Sequence, residues 1–202
     1  MKNHPTRRQF LKTSTVAASA LGFPSILSSR SSGAPAKDGV LRVAQIGCGR
    51  IAKGMDIPGV LRHPKLARFV GVADVDSWRA EQGRKWIQSS YKKSLGEAPE
   101  IAVTGNYKEL IERDDVDAIS ISTPDFWHAQ PIIEAALAGK HIYVQKPLTL
   151  TLEEGIAVDR IVRAKKRILQ IGSQQRSTEQ FHRACQLVRN GRIGKVHTIK
   201  VG

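Results

Sequence analysis

Cysteine and methionine occur twice each in 202 residues, aromatic residues make up 5%, and no charge-free run of 18 apolar residues follows the N-terminal region. So little cysteine excludes a disulfide framework and a cysteine-built metal site. Cys48, in a glycine loop, and Cys185, in a helical pattern, read as small packing residues. The missing apolar run excludes a polytopic membrane protein. Acids are scarce as well: 18 Asp and Glu face 32 Lys and Arg, a formal charge of +14. Such a surplus suggests a nucleic-acid or anionic-membrane partner. Its distribution argues otherwise, because residues 1–36 hold Lys2, Arg7, Arg8, Lys12 and Arg30 and no acid. The remaining basic residues are dispersed with no aromatic–basic module among them, so no nucleic-acid partner is expected. What is plentiful is ordinary: 41% hydrophobic residues and 17 glycines fit a globular chain and exclude overall disorder. The length allows one domain, or one domain and the start of another.

The basic start has the layout of an address. Thr6-Arg7-Arg8-Gln9-Phe10-Leu11-Lys12 precedes a modestly apolar stretch from about Thr13 to Leu27, and Gly33-Ala34-Pro35-Ala36 follows. A short amphipathic or disordered tail is the alternative. The string resembles the twin-arginine export signal of bacteria, with Ala34-x-Ala36 as the candidate cleavage site. That resemblance implies export of an already folded protein through the twin-arginine machinery, to the periplasm or beyond, after uptake of a cofactor.

The rest alternates short apolar runs with amphipathic ones. Candidate strands are Val40 to Ile46, Phe69 to Ala73, Ile101 to Val103, Ala118 to Ile121, Ile142 to Val144 and Ile168 to Ile171. Helical patterns lie near Arg50 to Asp56, Ser77 to Gln88, Tyr107 to Arg113, Trp127 to Ala138 and Leu152 to Lys166. Thr151-x-x-Glu154 predicts a capping box, and Gly139 a helix stop. Strands with little polar alternation between helices predict an α/β fold, a Rossmann-type doubly wound parallel sheet in order 3-2-1-4-5-6. Beyond it, Ser177-x-x-Gln180 predicts a further helix with Phe181, Ala184, Cys185 and Val188 on one face, ended by Asn190-Gly191. Lys195 to Val201 alternates like a half-buried strand, expected to be the first of an absent α+β domain. The expected division is 1–36 signal and linker, 37–176 Rossmann-type domain, and 177–202 connecting helix and start of a truncated C-terminal domain.

Gly47-Cys48-Gly49-Arg50-Ile51-Ala52 follows the first strand and opens the first helix, a G-x-G-x-x-[G/A] string. Glycine there permits a tight turn and close approach of a pyrophosphate to free N–H groups at a helix start. Asp74 ends the second strand 22 residues past Ala52, where a carboxylate accepts from the ribose hydroxyls of NAD. A 2′-phosphate would meet that carboxylate unfavourably; Arg79, one turn into the next helix, keeps NADP as the alternative. Candidate cofactor-binding residues are thus Gly47, Gly49, Arg50, Ile51, Asp74, Thr123, Pro124, His128 and Lys146. Thr123-Pro124-Asp125-Phe126-Trp127-His128 follows the fourth strand and Gln145-Lys146-Pro147 the fifth, so both point into the crevice at the carboxyl ends of the strands. His128 either contacts cofactor or substrate or serves as a capping or packing residue. Trp127 either stacks on a sugar ring or packs, and Gln174 and Arg176 either reach substrate or are solvated.

With GCGRIA, VADVD, STPDFWH, VQKPL and IGSQQRS in this order, residues 40–202 resemble the Gfo/Idh/MocA oxidoreductases. The resemblance implies that Lys146 occupies the place of the lysine in a Glu-Lys-Pro string beside nicotinamide and substrate, handling the proton of the hydroxyl being oxidised. Gln145 stands where that string has Glu and removes a negative charge. The implied protein is an exported NAD(P)-dependent oxidoreductase moving hydride between nicotinamide and a sugar, cyclitol or related polyol. Two alternatives stay open: an NAD-dependent, redox-neutral glycosidase of the same family, and a non-catalytic sugar-binding relative. No metal is expected, and the full-length protein is expected to self-associate.

Overall fold

The computed structural model describes residues 39–201. The export string and its cleavage site lie outside the described residues. Six strands form one parallel sheet: β1 Leu41–Ile46, β2 Ala67–Ala73, β3 Ala102–Thr104, β4 Ala118–Ile121, β5 His141–Gln145 and β6 Leu169–Gly172. Their order is β3-β2-β1-β4-β5-β6, as expected. Direction of winding reverses between β1 and β4, so the connections leaving these two strands diverge and open a crevice at their carboxyl ends.

Residues 50–61 are continuously helical, with a π turn over Ala52–Asp56 running into α1 Ile57–Leu61. Then come α2 Ser77–Leu95, α3 Lys108–Ile111, α4 Ala129–Leu137, α5 Leu152–Ala164 and α6 Glu179–Arg189. Side chains of a strand alternate between faces, and two cores result. Ala44, Ile46, Ile119, Ile121, Ile142 and Val144 pack with Ile132 of α4 and Val158 of α5. On the other face Val43, Phe69 and Val72 pack with Ile57, Ile87 and Tyr91. The buried Tyr91 hydroxyl accepts the Phe69 N–H at 2.8 Å, so burial of this ring strands no polar atom.

Local signals explain most element ends. Thr151 and Glu154 form the expected capping box, and Gly139 takes φ +79° after α4. Asp76 caps α2 by accepting the N–H groups of Trp78 and Arg79. Three expectations change. The first helix continues to Leu61: Pro58 directly follows the π turn, whose last bond runs from Ile57 N–H to Ala52 O, so the missing N–H falls where the ladder changes register. The second runs to Leu95, stopped by Gly96 at φ +79°. Thr178, rather than Ser177, is the N-cap of α6: Ser177 belongs to a 3₁₀ turn over Gln174–Ser177, and the Thr178 hydroxyl donates back to Gln175 O.

Residues 195–201 form no strand. Alternation supplies a face but not hydrogen-bond partners, and no described strand runs beside this segment to offer them. Phe181 and Val188 of α6 are exposed. No helix of the described residues is long and apolar enough to cross a membrane.

Candidate active site

The β1-to-helix turn is built on Gly47, whose φ of +84° belongs to the left-handed region. Its N–H donates to Ala73 O at 2.8 Å, tying the turn to the end of β2. A Cβ at Gly47 would stand 2.8 Å from the backbone oxygen of Ser122, at the end of β4. Three strand ends therefore converge on a residue with no side chain. Cys48 points into the core against Gly83, and burial pushes its thiol up to about 12, so it packs and does not react.

Asp74 is held by two backbone donors: Cys48 N–H reaches Oδ2 at 2.7 Å and Asp76 N–H reaches Oδ1 at 2.9 Å. A carboxylate fixed in this way presents its remaining lone pairs at the crevice without having to order itself on binding. Arg79 leans over the opening, with Nε 3.3 Å from Asp76 Oδ2. The crevice has a volume of about 350 Å³. Gly47, Gly49, Asp74, Arg79, Thr123 and Pro124 line it, with Tyr107, Phe126 and Trp127 as apolar wall. The Cβ-free turn, the helix start beyond it and the preset acceptor at Asp74 fit the pyrophosphate and ribose of a dinucleotide.

Other expected residues fall elsewhere. Lys146 is exposed after β5, joined to Pro147 by a cis peptide bond, and is not among the residues lining the crevice. The crevice expected above Gly47, Gly49, Thr123 and Lys146 thus takes in the first three only, because its walls lie at the ends of β1, β2, β3 and β4 while Lys146 follows β5. Arg50 and Ile51 are exposed at the start of the helix and do not line it either. His128 is fully buried: Nδ1 lies 2.7 Å from Pro147 O and Nε2 3.0 Å from Thr123 O. Of the two roles left open for it, the geometry is that of packing. The ring braces the loop after β4 against the loop after β5. Trp127 is partly exposed on the crevice wall, and its carbonyl accepts the Thr123 hydroxyl at 3.0 Å. Gln174 is half-buried, with its amide nitrogen close to Gly172, and Arg176 is exposed; neither borders the crevice.

Sequence reasoning missed a buried polar group behind the crevice. Gln45 Nε2 donates to Gly47 O at 2.9 Å and to Ser122 Oγ at 2.8 Å. Ser122 Oγ in turn donates to Asp56 Oδ2 at 2.5 Å, and Gln145 Nε2 donates to Asp56 Oδ1 at 2.6 Å. The available signal was Gln45, Ser122 and Gln145, each a polar residue in or directly after an apolar strand run.

Sheet order, glycine turn and preset carboxylate together define a dinucleotide-binding Rossmann domain. A family model described as "Oxidoreductase family, NAD-binding Rossmann fold" matches residues 41–173, and the chain belongs to that family, Gfo/Idh/MocA. Among curated relatives, scyllo-inositol 2-dehydrogenase (NAD(+)) of Bacillus subtilis is 33% identical over 167 residues, covering 77% of this chain and 42% of that protein. Glycosyl hydrolase family 109 protein 2 of a Shewanella species is 33% identical over 162 residues, covering 73% of this chain and 35% of that protein. A crystal structure of myo-inositol 2-dehydrogenase from Lactobacillus plantarum superposes with a TM-score of 0.63 at 28% identity, covering 77% of this chain and 43% of that one. The chain spans 42% and 35% of the length of these two curated relatives.

Proposed function

We propose that the protein is an exported NAD(P)-dependent dehydrogenase of a sugar, cyclitol or related polyol. The observation that carries the reading is the Asp74 carboxylate, locked by Cys48 and Asp76 N–H groups at the rim of the crevice beside the Gly47 turn. The names of the inositol dehydrogenase relatives support the substrate class. When bound, the nicotinamide supplies the hydride acceptor. The chain's own contribution is to bind and orient: Gly47 and Gly49 admit the pyrophosphate, Asp74 takes the ribose hydroxyls, and Lys146 Nζ moves the proton of the substrate hydroxyl.

Asp74 faces a ribose 2′ position, so NAD is expected to bind more tightly than NADP, whose phosphate would meet a carboxylate. Calorimetric titration of both into nucleotide-stripped protein tests this, followed by a polyol panel read through formation of reduced nicotinamide. Tighter NADP binding would mean that Arg79 outweighs Asp74. Absence of turnover with every polyol would overturn the substrate class.

The Shewanella glycosyl hydrolase relative supports a second reading, sugar hydrolysis without net redox change. Product analysis separates the two: a hydrolase releases a free sugar, a dehydrogenase a keto-sugar or lactone. Export rests on Arg7 and Arg8 before Phe10-Leu11-Lys12. An Arg7→Lys, Arg8→Lys variant is expected to stay in the cytoplasm on fractionation, and export equal to wild type would remove this part of the proposal.

A further inference from the structure

Asp56 closes the π turn of the first helix and is only 6% exposed. Among the described residues its hydrogen-bond partners are neutral: Gln145 at 2.6 Å, Ser122 at 2.5 Å, and the Tyr143 hydroxyl. Burial pushes its carboxyl above the ordinary aspartate value, against the pull of those three donors. Keeping a carboxylate out of water is costly when no cation repays it. A threonine or asparagine would fill such a place at less cost, so the acid calls for a reason.

The hydrogen bonds supply one. Asp56 is acceptor-only when ionised, so Gln145 must turn its amide nitrogen toward it. That orientation leaves Gln145 Oε1 facing the Lys146 backbone N–H, at 3.4 Å. The same Asp56 accepts a hydrogen bond from the hydroxyl of Ser122, which borders the crevice. One buried carboxylate therefore orients side chains at the ends of both β4 and β5. In the Glu-Lys-Pro string of the family, the acid directly precedes the lysine; here Gln145 stands in that place and the acid lies one hydrogen bond further back.

We propose that Asp56 is the positioning residue for the Lys146 strand end, supplying through Gln145 the carboxylate that the glutamate of a Glu-Lys-Pro string supplies directly. The proposal rests on the dehydrogenase reading for the role of Lys146, but not for the hydrogen-bond relay itself.

The relay makes a reversible prediction. In Asp56→Asn alone, one of the two acceptor positions becomes a donor. With the oxygen kept on Ser122, the new NH2 meets the Gln145 amide donor to donor, and turning Gln145 to relieve that clash sets its nitrogen against the Lys146 N–H. Turned the other way, the NH2 meets the Ser122 hydroxyl, which already accepts from Gln45, and the bond that this hydroxyl donates to position 56 is lost. In Gln145→Glu alone, two carboxyl groups meet at hydrogen-bond distance in a buried place. The double variant Asp56→Asn, Gln145→Glu keeps the bonds to Ser122, between positions 56 and 145, and to the Lys146 N–H. Its amide at position 56 would accept from Ser122 and donate to the carboxylate at position 145, whose second oxygen would accept the Lys146 N–H.

The experiment makes both single variants and the double variant in the full-length protein and measures NAD affinity, polyol turnover and hydrogen exchange at the Lys146 amide. Each single variant is expected to lose at least about tenfold in kcat with NAD affinity changed less than threefold, as a small misplacement of an acting group permits. The double variant is expected to recover to within about threefold of wild type, with substrate KM little changed throughout. Faster exchange at Lys146 is expected in Asp56→Asn and reversal in the double variant, a readout that needs no turnover. If Asp56→Asn matches wild type in both rate and exchange, or if the double variant is no better than the singles, the proposal is overturned. Should a single variant fail to fold, a folded and exchange-protected double variant still supports the relay, and an unfolded double variant defeats it. Wild-type protein inert toward all polyols but showing the exchange pattern would sink the dehydrogenase reading and leave the relay standing.

Discussion

Replacing Gly47 with alanine is expected to destabilise the fold by about 2–4 kcal/mol and to abolish NAD binding, while Gly49→Ala leaves stability within about 0.5 kcal/mol of wild type. The two glycines stand two residues apart in one string, yet their surroundings differ. Gly47 has φ +84°, and its added Cβ would lie 2.8 Å from Ser122 O, 2.9 Å from Ser122 C and 3.0 Å from Thr123 N. All three are backbone atoms of the β4 end, and Ser122 N–H is itself engaged with Ile46 O at 2.8 Å, so that strand end cannot step aside without breaking the sheet. A left-handed backbone conformation adds its own cost for a residue with a Cβ. At Gly49 the nearest atom is a guanidinium nitrogen of Arg79 at 3.8 Å, which is ordinary contact with the mobile end of a long side chain. Gly49→Ala should therefore act on the ligand alone, by placing a methyl group where the pyrophosphate must approach. Urea denaturation of the three proteins, with NAD titrations beside it, separates the effects. A Gly47→Ala variant as stable as wild type would show that the β1–β4 junction is far softer than the geometry implies.

The contrast also shows how much of the site was legible in the sequence. Strand, glycine string, helix and Asp74 could be placed by spacing because each depends on local requirements: a turn, a helix start, a strand end. Which of two glycines touches backbone depends on Ser122, far along the chain in β4's wake, and no local pattern reports that. Sheet order followed from the alternation of strands and helices together with the functional strings after the first, fourth and fifth strands, which place the switch point between strands one and four. The extension of the first helix to Leu61 was hidden by Gly54, Pro58 and Gly59, residue types that break helices, although Pro58 lands directly after a π turn, where the hydrogen-bond ladder changes register. Asp56 was hidden for the opposite reason. An acid on a helix reads as solvated, and only the fold brings Gln145, 89 residues away, over it. Residues 195–201 carried a period-2 pattern but have no partner strand among the described residues, and pairing makes a strand where pattern alone does not.

On the proposed reading, Lys146→Ala is expected to lower turnover by about 10²- to 10⁴-fold while changing NAD affinity less than threefold. The first figure is what a positioned acid or base contributes, about 3–5 kcal/mol at the transition state. The second follows from placement. Lys146 is exposed and stands apart from the residues lining the nucleotide crevice, so its truncation leaves the Gly47 turn and the Asp74 carboxylate untouched. Yet it is not a free surface lysine by position. β5 pairs with β4 from Ala118 against His141 through Ile121 against Val144, which brings the two following loops side by side. The buried His128 ring then spans them, with one nitrogen on Thr123 O and the other on Pro147 O. The backbone carrying Lys146 is thereby fixed relative to Thr123, which does line the crevice, and only the lysine side chain remains to swing toward a substrate. A solvated lysine with no part in the reaction would give an alanine variant within threefold of wild type in kcat. A lysine that serves only to bind nucleotide would raise the NAD dissociation constant and leave saturated turnover intact. Loss of kcat with unchanged NAD affinity is the pattern expected of an ammonium acting at the reacting hydroxyl, and the steady-state and binding measurements on a single variant distinguish all three.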